Sequence, residues 1–190
     1  MSTTNSQQQS RLPESDSVRR DVIAPEGRAG HTARFALVAL RLSLGWVFLW
    51  AFLDKMFGLG HETAGKDAWI NGGSPTKGFL AFATAGPLKG TYHQIAGQAW
   101  ADWLFMAGLL GIGVALVLGV ALRPVAVAGG LLLVLMWSAV LPPADNVFMD
   151  DHLIYALVLV VLAAAGAGRT LGLGSLWENL PVVRRHGWLK

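Results

Sequence analysis

No cysteine occurs anywhere in the 190 residues. This chain therefore forms no disulfide, offers no thiolate nucleophile, and cannot hold a cysteine-ligated zinc ion or iron–sulfur cluster. A thiol relay to a quinone through this chain alone is excluded as well. Charge is also scarce, at 14% of residues, where a compact water-soluble domain carries about a quarter. A disordered chain would combine low hydrophobicity with high net charge. This one is 53% hydrophobic with a net charge of +3. What remains is a protein whose apolar residues face lipid, provided they occur in runs long enough to cross it.

Four runs suggest such crossings, with spans read at about 35–57, 101–122, 125–141 and 151–169. The stretch from Phe35 to Leu53 is interrupted only by Arg41 and Ser43, and Trp103 to Leu122 carries no charge. Each of these two supplies the roughly 20 residues that about 30 Å of hydrocarbon requires. The third and fourth need a further turn at their wet ends. A cleaved signal peptide does not fit the first run, which follows a polar stretch and continues into Leu53-Asp54-Lys55-Met56. The expected fold is an all-α, four-transmembrane antiparallel helical bundle.

Positive charge sets the expected orientation. Arg11, Arg19, Arg20, Arg28 and Arg34 precede the first span, Arg123 lies between the second and third, and Arg169, Arg184, Arg185 and Lys190 follow the fourth. These segments share one side, which places both termini in the cytoplasm. Dispersed charge of this kind suits a lipid surface and argues against nucleic acid as a partner. Outside the 34–170 membrane domain, residues 1–33 read as a disordered cytoplasmic tail, rich in Ser, Thr, Gln and charge. The outer loop, 58–100, is too long for a plain helix connection. Within it, Ser74 followed by Pro75 reads as an N-cap leading a short interfacial helix through Phe79-Leu80-Ala81-Phe82. Residues 171–190 read as an amphipathic inner-surface tail, with a capping box at Ser175-Leu176-Trp177-Glu178.

Within the spans, Gly111, Ala115 and Gly119 form a small-residue stripe suited to close helix packing. Trp50, Trp100, Trp103 and Trp137 fall near the outer ends, where amphipathic rings sit at the membrane interface. The polar residues of interest gather at that same rim: Asp54 and Lys55, Asp102, and Asp150-Asp151-His152. Asp102 and Asp150 are either helix N-caps or members of one interacting cluster in which Lys55 neutralises Asp54 or Asp151. His152, flanked by carboxylates, is suited to exchanging protons near neutral pH, or simply bonds Asp54. Arg41 either snorkels to the cytoplasmic interface or buries its guanidinium against a carbonyl or a headgroup inside the bundle. No metal site is read, and no span carries the deep His pair that axial haem ligation needs.

Three strings resemble the DoxX/DoxD family of small four-helix membrane proteins: Arg41-Leu42-Ser43-Leu44-Gly45-Trp46 through Asp54-Lys55-Met56-Phe57-Gly58, Gly72-Gly73-Ser74-Pro75-Thr76-Lys77-Gly78-Phe79-Leu80, and Asp151-His152-Leu153-Ile154-Tyr155-Ala156-Leu157. The resemblance covers roughly Arg34 to Trp188, and the loop strings look closer to the DoxD branch, the membrane subunit of thiosulfate:quinone oxidoreductase. It implies a multi-pass protein of a bacterial or archaeal plasma membrane that passes two electrons from a sulfur donor to membrane quinone at the outer face. Such a reaction needs an anion site, for which Lys55, Ser74, Lys77 and Lys89 are available. It also needs a quinone pocket, assigned to Arg41, Trp50, Trp103 and Trp137, and proton handling by His152, Asp151 and Asp54. With no electron carrier evident, direct transfer at a shared site, a second small redox subunit or a homo-oligomer is implied. The rival reading is a non-catalytic membrane scaffold for peripheral redox enzymes.

Overall fold

The computed structural model describes residues 28–190, in which helices dominate and no strand occurs. Positions 1–27 of the expected tail lie outside the described residues. The first helix, α1 (Arg28–Phe57), begins inside the stretch read as tail. Its opening turns carry Arg28, Ala29, Ala33 and Arg34, good helix formers that an apolar-length test overlooks. After the loop come α2 (Lys89–Ile95), α3 (Ala99–Leu118), α4 (Leu122–Ala139) and α5 (Asp151–Ala164). Two short helices, α6 (Gly174–Glu178) and α7 (Pro181–Arg185), and a final 3-10 turn complete the chain.

Three helices are long and apolar enough to cross a membrane: α1 from Gly30, α3 and α4. The fourth expected span is shorter than read, because α5 has 14 residues and so reaches about 21 Å. Gly166 turns the chain away with φ +61, and beyond it the backbone dives under the α3–α4 turn. A Cβ on Gly168 would stand 2.1 Å from the Gly119 carbonyl oxygen, so the crossing there is backbone on backbone. Helix α4 instead starts earlier than read, because Pro124 falls in its first turn, where a missing N–H costs nothing.

Apolar side chains fill the interior and also cover much of the outer surface. A core of Leu44, Phe48, Met106, Leu116, Leu133, Leu159 and Leu162 joins the four long helices. Outside it, Leu104, Val127, Leu131, Leu157 and Val160 are exposed along α3, α4 and α5. Apolar surface on that scale suits lipid and not water. Helix α1 lies along α3 and α4 along α5, while α1 scarcely meets α5. Of the expected stripe, Gly119 makes a close approach and Ala115 packs against the core, and two glycines outside the stripe add further approaches. Gly111 faces open space, whereas Gly113 meets Leu49 of α1, and Gly129 of α4 meets Leu159 of α5.

The chain thus has two ends. The loop end holds the C-termini of α1 and α4, the N-termini of α3 and α5, and the connecting segment. The tail end gathers the α3–α4 turn, the exit from α5 and the C-terminal segment. There Leu173 N–H donates to Leu118 O at 2.8 Å and Arg123 N–H to Lys190 O at 2.9 Å.

Candidate functional site

At the loop end, each carboxylate is enclosed by the segment that it organises. Asp54, in the last turn of α1, is 2% exposed and accepts the backbone N–H groups of His61, Glu62 and Thr63 at 3.2, 3.1 and 2.9 Å. The chain leaving α1 therefore folds back over this carboxylate. The structure separates Lys55 from Asp54 and Asp151 and pairs it with Glu62 at 3.1 Å. That overturns the expected neutralisation. Three backbone donors already satisfy Asp54, and Lys55, one residue on, points to a solvent-facing partner. Such a surface pair contributes little to stability.

Asp102 does not cap α3; the cap position is Gln98, with no side-chain bond. Asp102 lies in the first turn, buried, and its Oδ1 accepts Thr76 Oγ1 at 2.6 Å, Ser74 Oγ at 2.9 Å and Thr76 N–H at 3.0 Å. Thr76 Oγ1 in turn accepts Gly97 N–H at 3.3 Å, closing the loop on both sides of α2. Ser74 caps as expected, its Oγ accepting Lys77 N–H at 3.2 Å, and leads a short helix that finishes as a π turn at Phe79–Ala83. Because the Ser74 proton is turned toward Asp102, it is not free for an anion. Lys77 and Lys89 are exposed, and among the described residues no hydrogen bond joins their side-chain ammonium groups to Ser74, so the four residues expected to hold an anion do not form one cluster.

Asp150 is the N-cap of α5, its Oδ1 accepting Leu153 N–H at 3.2 Å. Its Oδ2 meets His152 Nδ1 at 2.7 Å, and Asp151 Oδ1 lies 3.4 Å from the same nitrogen. His152 is thus oriented chiefly by Asp150, and by Asp151 at longer range, with no bond to Asp54. The three tryptophans assigned to a quinone ring do not share a pocket. Trp50 packs edge-on against His61 at 5.0 Å, Trp103 against Trp69 at 4.7 Å, and Trp137 against Phe148 at 5.0 Å. Arg41 is fully buried toward the tail end, with Nη2 donating to Leu171 O at 2.7 Å. Of its two readings, the buried guanidinium on a carbonyl is the one the structure adopts. It lies far from any ring-stacking position.

A feature that sequence reasoning missed is an apolar cavity of about 220 Å³ between α3 and α4, roofed by the loop. Trp100, Leu104 and Phe105 of α3 face Leu132 and Met136 of α4 across it. Phe79 and Tyr92 come from the loop, with the Tyr92 hydroxyl held by Leu135 O at 3.0 Å and Ser138 Oγ at 2.6 Å. Thr76 both lines the cavity and bonds Asp102, so an apolar chamber meets a carboxylate through one hydroxyl. The only sequence signal was the Gly72–Thr76 turn, and nothing in it indicated that its partner lay 26 residues away.

The capping box read at Ser175–Glu178 does not form. Because Leu173 and Gly174 are already tied to Leu118 and Gly168, α6 begins at Gly174 and takes Ser175 into its first turn. Glu178 instead binds Arg169 through Nε and Nη2 at 3.0 Å each, which raises the arginine pKa.

No protein-family model matches the chain, and no curated protein or solved structure matches it. The fold defines an all-helical protein with three apolar helices of membrane-spanning length.

Proposed function

We propose that the chain is a DoxX/DoxD-like integral membrane redox subunit that passes electrons from a sulfur donor such as thiosulfate to membrane quinone at the loop end. The observation that carries this reading is the cavity between α3 and α4. Drug-sized ligands occupy pockets of about 300–1,000 Å³. A chamber of about 220 Å³ suits a single flat ring, with its lipid tail left among the exposed side chains of α3 and α4. Trp100 and Phe105 offer faces for such a ring, and they replace Trp50, Trp103, Trp137 and Arg41 in that role. Bound quinone would supply the two-electron acceptor. The chain's own residues exclude water, orient the ring and hold protons at Thr76–Asp102 and at His152, whose partner Asp150 fixes the imidazole.

Four crossings of a bacterial or archaeal plasma membrane are part of this reading. Helix α5 is short, but it runs along α4 with Leu159 against Gly129, so it enters the same hydrocarbon layer. A short span is accommodated by local thinning of the bilayer. The absence of cysteine makes the orientation directly measurable. A cysteine at Lys77 is expected to react with an impermeant thiol reagent in intact cells, while one at Arg185 stays silent. The reverse pattern would overturn cytoplasmic termini.

The activity is tested by purifying the protein in nanodiscs, extracting bound quinone, and following quinone reduction with thiosulfate and other sulfur donors. Ala101→Phe, which fills the cavity, is expected to remove bound quinone while far-ultraviolet circular dichroism stays helical. His152→Gln is expected to retain quinone but lose roughly 10²–10⁴-fold in turnover. Absence of both bound quinone and turnover with every donor, together with copurification of peripheral redox enzymes, would replace this reading with the scaffold.

A further inference from the structure

The tail end holds a second cavity, of about 200 Å³, whose walls are built unlike those of the first. Its side chains include Arg123, Arg169 and Lys190 against one carboxylate, Glu178. Part of its wall is bare backbone at Gly119, Gly166 and Gly168, so an occupant meets main chain without a side chain in between.

We propose that this cavity is a phosphate-binding site, taking a phosphate group carried by a lipid headgroup or free in solution. Its cations keep donors in reserve. Arg123 spends Nη1 on Gly187 O at 2.6 Å, which leaves Nε and Nη2. Arg169 spends Nε and Nη2 on Glu178, which leaves Nη1. Among the described residues the Lys190 ammonium makes no hydrogen bond or ion pair. Three side-chain cations face one side-chain carboxylate, so the cavity stays net positive even when an α-carboxylate at Lys190 is counted against them, and it calls for an anion.

Arg41 adds to that field from behind the wall. Its Nη1 lies so close to Gly119 that a Cβ there would be 1.7 Å away, and its Nε and Nη1 have no hydrogen-bond partner among the described residues. In a low-dielectric setting such a charge is felt by anything seated on the far side of Gly119. The arginines can approach a phosphate through more than one N–H, the geometry that suits them to this anion. The cavity also sits where apolar helices end and exposed Leu171, Leu176 and Trp188 begin, the level at which basic pockets meet headgroups. None of these residues belongs to the chamber proposed for quinone, so the two proposals stand or fall separately.

The test uses the full chain in nanodiscs of mixed phosphatidylglycerol and phosphatidylcholine, with retained lipid counted by native mass spectrometry. Inorganic phosphate is titrated calorimetrically into protein held in phosphatidylcholine alone. A lipid site predicts preferential retention of phosphatidylglycerol, reduced roughly fivefold by Lys190→Gln and roughly 25-fold when Arg123→Gln is added. A site for free phosphate predicts binding heat that the same variants abolish. Because the Lys190 side chain has no partner to lose, its effect reports binding and not unfolding, and the thermal midpoint of Lys190→Gln should be unchanged. Equal retention of both lipids with no phosphate heat overturns the proposal, as does a preference or heat that both variants leave intact.

Discussion

Asp102→Ala is expected to release the loop from the bundle and to destabilise the protein by about 3–5 kcal/mol. The carboxylate accepts three donors at one oxygen, and two of them, Thr76 N–H and Thr76 Oγ1, are buried with it. An unpaired buried donor costs about 1–3 kcal/mol, and more than one is orphaned here. The change should appear as a lower thermal midpoint in detergent and as new protease cleavage between Gly72 and Gly97. Asp102→Asn separates geometry from charge. Its Oδ1 can still accept all three bonds, so the loss is confined to their charge assistance and to the attraction of a carboxylate to the α3 N-terminus, the latter about 0.3–1 kcal/mol, and the total should stay below that of Asp102→Ala. Equal damage from both variants would mean that charge, not the hydrogen-bond fan, fastens the loop. Since Thr76 also lines the apolar cavity, Asp102→Ala should lower quinone retention even where the helices persist.

The parts of this structure that sequence reveals are those whose causes are local or merely additive. Membrane-length helices follow from uninterrupted apolar runs, and the Asp150 cap follows from a carboxylate three residues before the N–H that it binds. Ser74 and Pro75 announce a helix start for the same reason. The contacts that build the sites are long-range. Thr76 reaches Asp102 across 26 residues, Tyr92 reaches Leu135 across 43, and Arg41 reaches Leu171 across 130. No periodicity encodes such pairings, because the same residues would read alike with any other partner. The tryptophans show the converse error. Their position near span ends was legible, but which neighbour each ring meets depends on the conformation of two connections: the long loop brings His61 to Trp50 and Trp69 to Trp103, and the α4–α5 connection brings Phe148 to Trp137. Helix α5 was overestimated because hydropathy counts Ala165–Gly168 as membrane-compatible, while Gly166 and Gly168 serve a backbone crossing.

Gly119→Ala is expected to be among the most damaging substitutions in the chain, at about 3 kcal/mol or more, and to be largely rescued by Arg41→Leu. Gly119 closes α3 in the left-handed region, with φ +72, where any Cβ costs roughly 1 kcal/mol. The remainder comes from collision, since that Cβ would stand 1.7 Å from Arg41 Nη1. The guanidinium has little freedom to step aside, because it is fully buried and Leu171 O anchors Nη2 at 2.7 Å. Arg41→Leu removes that collision together with a buried charge that has two nitrogens unpaired. Losing such a charge offsets much of the void it leaves, so the single variant should fall within about 1 kcal/mol of the parent. In its background, Gly119→Ala should cost the left-handed penalty and a tight contact with Gly168 Cα at 3.0 Å, leaving a coupling of about 2 kcal/mol in a double-mutant cycle of denaturant unfolding in detergent. An equal cost for Gly119→Ala in both backgrounds would assign the whole effect to backbone conformation. The glycines at 119 and 172 would then have to be explained without the arginine, although each adjoins it and both leave it the room that a side chain would take.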